Sequence, residues 1–168
     1  MDVFILDANF FIQAHRINYP LDVATGFWKK VKDLSESGKI ISIDKVKNEI
    51  FENEDALTDW IKTNLPESFF VSTNTAAVLT NYTNVARWAN SKNTHYLPQA
   101  ISEFLDADNA DAWLVAYALS DATHNYIITQ EISEPNKKSK IKIPDVCNHF
   151  GIRYANTIEL FRKLGETF

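Results

Sequence analysis

The sequence is short of several things, and each shortage excludes something. Its single cysteine, Cys147, rules out an internal disulfide and a multi-cysteine zinc site. Within "IPDVCNHF" that residue reads as a small buried hydrophobe, the usual setting of a free cysteine. Only four glycines occur, none in a Gly-rich phosphate loop, which disfavours dinucleotide-binding and P-loop folds. No apolar run approaches the ~18 residues of a membrane span. The first residues carry neither a basic n-region nor a signal-like apolar stretch, so a soluble, cytoplasmic protein is expected. Basic charge is also short: 17 Lys and Arg against 22 Asp and Glu give a formal net charge of −5. That balance argues against a protein that coats nucleic acid by bulk electrostatics. It leaves room for an enzyme whose surplus acids gather in one pocket.

What the chain does have is apolar and aromatic content, 45% and 12%, enough for a folded globular domain. Its 168 residues suffice for one domain with a core that needs no staples. "VFIL" (3–6) has the continuous apolar pattern of a strand covered on both faces. A helix is expected over 22–37 with Gly38 as its stop, then a strand "KIISI" (39–43), then a helix over 44–53 with Asp44 as N-cap. Further helices are expected at 55–64, 75–90, 98–105 and 109–122, with a strand at 69–72. A fourth strand, "NYIIT" (125–129), precedes a helix ending at Gly151, a strand "IRYA", and a closing helix capped by Asn156. Strands alternating with helices predict an α/β fold in three layers, a central parallel sheet between helices. No repeat, linker or low-complexity tract divides residues 1–168, which are therefore expected to form a single domain.

In an open parallel sheet, ligands bind beyond the carboxyl ends of the strands, near the switch in strand order. Asp7 ends the first strand, Glu49 lies in the helix after the second, Asp111 begins the Ala-rich helix with Asp108 just before it, and Glu131 follows the fourth strand. Alone, each has a structural explanation: a strand stop, a solvated helix residue, a cap. Together at one rim they repel, and a cation readily offsets crowded like charges. Oxygen-only ligands suit Mg²⁺ or Mn²⁺ rather than zinc, and such ions serve hydrolysis of a phosphodiester. The four histidines, His15, His95, His124 and His149, show no metal-ligand spacing, and His15 is expected in a loop.

The stretches "ILDANFFI", "VKNEI", "DADNADAWLVAYAL" and "YIITQE" make the chain similar to the PIN domain superfamily, a nuclease fold found in many toxin–antitoxin ribonucleases. Within it, "FW" at 27–28, "ADAWLVAYA", "TQE" and "KIPDVCNHFGI" most resemble the PIN-like group labelled DUF4411. On this resemblance Asp7, Glu49 and Asp111 match the first three acids of the motif, and Asn9 the polar residue after the first. Thr129 and Glu131 match a Thr-x-Asp element, with Glu in place of the usual Asp. Asp108 is an additional acid near the third position.

The resemblance implies a PIN-like fold and an endoribonuclease dependent on Mg²⁺ or Mn²⁺, the toxin of a pair with an antitoxin protein, and a homodimer. Asp7, Glu49 and Asp111 would hold one or two ions, and Glu131 would complete a second site or orient water. RNA reaching an acidic pocket needs flanking cations, for which "NKKSKIK", with Lys137, Lys138, Lys140 and Lys142, is the candidate strip. Arg16, Arg87 and Arg153 are others, and Trp113 is a base-stacking candidate better read as a packing residue. Two rival readings stand beside this one. The first is a catalytically degenerate PIN-like module that binds RNA or a protein. The second is a phosphohydrolase using Asp7 as nucleophile, which Asn9 disfavours because such enzymes carry a second Asp there.

Overall fold

A computed structural model describes residues 1–168. Five strands, β1 (Val3–Leu6), β2 (Ile40–Ile43), β3 (Phe70–Val71), β4 (Asn125–Ile128) and β5 (Arg153–Ala155), form one parallel sheet in the order β3-β2-β1-β4-β5. Successive strand residues point to opposite faces. Phe4, Ile5 and Leu6 are nonetheless all buried, so helices cover both faces of β1 and the architecture is three-layered. The chain builds outward from β1 through β2 to β3, then returns to add β4 and β5 on the other side. The switch in strand order therefore falls between β1 and β4, which pair in register from Val3–Asn125 to Leu6–Ile128.

Nine α-helices connect and flank the strands: α1 (Ala8–Gln13), α2 (Thr25–Glu36), α3 (Asp44–Phe51), α4 (Ala56–Asn64), α5 (Ala76–Ser91), α6 (Pro98–Phe104), α7 (Asp111–Ala118), α8 (Ile143–Phe150) and α9 (Thr157–Leu164). Their ends follow from the sequence. Asn156 and Glu159 form a reciprocal capping box at α9, and Asp55 and Thr75 accept bonds from the first turns of α4 and α5. Gly38 and Gly151 stop their helices at φ 73° and 71°, a region L side chains avoid. Beyond Asp111 the helix α7 is apolar all round, and its alanines let it lie close against α5 and the sheet. One continuous core runs through all three layers and contains Cys147, which is fully buried. Removal from water pushes that thiol up to about 12. No helix is long and apolar enough to cross a membrane.

Three expectations need correcting. Residues 8–18, to which periodicity assigned no element, form α1 and a π-helical turn (Ala14–Asn18), so His15 is helical rather than in a loop. Asp44 is the first residue inside α3, not its N-cap; its carboxylate instead accepts from the Thr73 amide (3.1 Å) and hydroxyl (2.8 Å), tying α3 to the end of β3. The strand expected over 69–72 shrinks to two residues, because 67–69 turn as a 3₁₀ helix.

Candidate functional site

Parallel pairing fixes the centre of the site. Asp7 follows the last residue of β1, Thr129 follows the last residue of β4, and these strands are neighbours at the switch. The Thr129 hydroxyl donates to Asp7 Oδ2 at 3.0 Å, and the Asp7 amide donates to the Ile128 carbonyl at 3.0 Å. Both residues are buried, Asp7 to 2% exposure. Thr129 thus fixes the carboxylate's orientation while its oxygen also accepts from the Glu131 amide at 3.1 Å.

A cavity of about 620 Å³ opens over this point. Asp7, Glu49, Asp111 and Glu131 all line it, with Asn9 from α1 and Asp108 at the exposed rim. Further acids that sequence reasoning did not single out, Glu52, Glu103 and Asp106, bring the lining carboxylates to eight against one basic residue, Lys140. Asp106 and Glu103 come from the segment around the end of α6, where acids read simply as surface residues.

Each central acid is held differently. Glu49 Oε1 accepts from the Ala110 amide at 2.7 Å, so α3 caps the start of α7 and carries Asp111 to the cavity. Asn109 Oδ1 accepts the Asp111 amide at 2.9 Å. The Asp111 carboxylate itself accepts no hydrogen bond from the protein, although it is largely desolvated. Glu131 reaches outward: its Oε2 accepts from the Ile143 amide at 2.8 Å, at the start of α8, and its Oε1 lies 3.3 Å from Lys140 Nζ. This contact explains the extra methylene, because Glu131 spans from the end of β4 to the first turn of α8.

The electrostatics follow from burial and crowding. Desolvation, then the charges of Glu131 and Glu49, push the Asp7 carboxyl up to about 7 against the Thr129 hydrogen bond. Desolvation, then Asp7, Glu131 and Glu49, hold Asp111 well above the usual carboxylate range. Glu49 is raised by desolvation, partly opposed by its bond from Ala110. Burial works against the Lys140 ammonium, yet Glu131, Asp111 and Asp7 outweigh it and strengthen its hold on the proton. In this conformation no three acidic, His or Cys side chains are closed into a ready-made ligand group.

The lysine strip is not a free cationic surface. Lys140 turns into the cavity, Lys142 pairs with Glu134 at 3.3 Å, Lys137 approaches the same acid at 4.0 Å, and Lys138 is exposed. Arg16 and Arg87 are exposed, whereas Arg153 pairs with Asp2 at the rim where the strands begin, opposite the cavity. Trp113 is half-buried, stacked 4.1 Å from Tyr82 with Lys45 over its face, as a packing residue should be.

The family model described as "Domain of unknown function (DUF4411)" matches residues 4–168. The chain belongs to that family. Comparison with curated proteins finds no match. The DUF4411 match takes in every acid of the cavity, from Asp7 to Glu131.

Proposed function

We propose that this DUF4411 protein is a PIN-like, metal-dependent endoribonuclease. The observation that carries the reading is the meeting of Asp7 and Asp111, with Glu49 and Glu131, in one cavity at the switch point between β1 and β4. Burial first, and then the neighbouring carboxylates, strengthen the hold of Asp7 and Asp111 on positive charge. The donor set is all oxygen and fits a hard divalent ion, Mg²⁺ or Mn²⁺. Such an ion supplies charge for an attacking water and for the leaving 3′-oxygen of a phosphodiester. Asp7 and Asp111 would be its principal holders. Thr129 orients Asp7, and Glu49 holds the start of α7 so that Asp111 faces the cavity. Asn9 and Glu131 line the same cavity, where Glu131 would complete a second ion site or orient the water, with Asp108 at the entrance.

The toxin role, the antitoxin partner, the homodimer and the cytoplasmic setting belong to the same proposal and rest on the PIN resemblance. The second reading, a non-catalytic module binding RNA or protein, has one observation in its favour: both Glu131 oxygens are engaged, by Ile143 and Lys140. Incubation of the protein with total cellular RNA and Mg²⁺, beside Asp111→Asn, separates the two. Cleavage is expected from the wild type, lost with Asp111→Asn and with chelator; RNA retained intact by both proteins would replace the nuclease by the module.

A further inference from the structure

Among the side chains lining the acidic cavity, one carries positive charge, and the chain goes to some length to put it there. The segment from Ser133 to Lys142 has no regular structure, but it is pinned along its length. Asp145, 8% exposed, accepts from the Ser133 hydroxyl (2.5 Å) and the Glu134 amide (3.2 Å). His95 Nε2 lies 2.7 Å from the Pro135 carbonyl, and the Leu97 amide donates to the Lys138 carbonyl at 3.0 Å. Ile141 and Ile143 then anchor the segment in the core. Lys140, between these anchors, is delivered to Glu131 at 3.3 Å while neighbouring lysines face Glu134 or solvent.

We infer that Lys140 is a tethered counter-ion: its ammonium neutralises the carboxylate cavity when no divalent ion is bound, and yields its place when one enters. This rests on the metal-dependent reading above. The chemistry is that of two cations competing for one set of oxygens. With the cavity free of metal, the ammonium partly offsets repulsion among Asp7, Asp111 and Glu131. A dication bound to the same carboxylates repels the ammonium, and the four-carbon stem lets Lys140 swing out without moving the pinned backbone. Lys140 thereby sets the affinity for the ion without itself being a ligand.

The test is calorimetric titration of MnCl₂ into wild type, Lys140→Met, Lys140→Arg and Asp111→Asn, with melting temperatures measured in chelator and in saturating Mn²⁺. Lys140→Met should bind Mn²⁺ tighter, by roughly tenfold, and Lys140→Arg should stay near wild type. In chelator Lys140→Met should melt below wild type, and saturating Mn²⁺ should abolish or reverse that deficit. Equal or weaker binding by Lys140→Met, with Asp111→Asn still abolishing binding, would overturn the counter-ion role and leave the metal site standing. A melting deficit that persists in Mn²⁺ would reduce Lys140 to a structural tie. Absence of Mn²⁺ binding by every form would overturn the metal site and the counter-ion together.

Discussion

Asp7 has its carboxylate buried among the other acids of the cavity and steadied by the Thr129 hydroxyl, so the folded chain prefers it protonated until about pH 7. In the unfolded chain the same group ionises near 3.8. Below that value both states hold the proton, and Asp7 has no effect on stability. Between it and about 7 only the folded state does, so the contribution of Asp7 to stability falls as pH rises. Above about 7 the whole cost is present, on the order of 2–4 kcal/mol. Asp7→Asn keeps an oxygen for the Thr129 hydroxyl and removes the charge. In chelator it should therefore melt with the wild type near pH 4 and roughly 5–10 °C above it at pH 8. Thermal unfolding followed by circular dichroism across that range checks this, and a difference independent of pH would contradict the burial of an ionisable Asp7.

At the scale of elements, the site is held by carboxylates that also act as caps. Glu49 caps α7 and Glu131 caps α8, each from a different part of the chain, so the helices that frame the cavity are fastened by the acids that line it. Glu131→Asp is one methylene too short to reach both the Ile143 amide and Lys140. A buried amide left without a partner costs about 1–3 kcal/mol. Glu131→Asp should thus lower the melting temperature in chelator by roughly 3–8 °C, whereas Glu131→Gln, which retains an acceptor for Ile143, should lose less. This geometry also separates what was legible in the sequence from what was not. Asp7 and Thr129 could be placed because a buried parallel strand ends in a known direction and its register with a neighbour follows. Asp111 could be placed because it opens the most apolar helix. The π-helical turn after α1 gives no periodic signal, since "ANFFIQAH" is apolar on several sides. At Asp44 local rules see a cap, whereas a tertiary partner, Thr73, takes the carboxylate. The inward turn of Lys140 is set by anchors at Leu97, Asp145 and His95, distant in sequence, so local pattern could show only a basic strip.

For the molecule as a whole, the net charge of −5 is not spread evenly, because eight carboxylates line one cavity at the carboxyl ends of the strands. The fold is therefore under electrostatic strain at its topological centre, where β1 and β4 meet, and not at its edges. A dication bound there would join elements remote in sequence: the end of β1, α3, the start of α7 and the segment after β4. Binding to the folded state alone adds about 2.7 kcal/mol when the ion stands at a hundred times its dissociation constant. In a chain of this length that is a rise in melting temperature of roughly 5–10 °C, growing with the logarithm of ion concentration. Mn²⁺ should produce this rise in the wild type at pH 8, where the repulsion it relieves is fully developed, and a smaller one at pH 5.5, where protons already compete for Asp7 and Asp111. Asp111→Asn should remove most of it at both pH values, because the variant takes away the one central carboxylate that has no hydrogen-bond partner of its own. Scanning calorimetry over a Mn²⁺ series at the two pH values decides the matter: a rise of equal size in Asp111→Asn would move the ion elsewhere on the molecule.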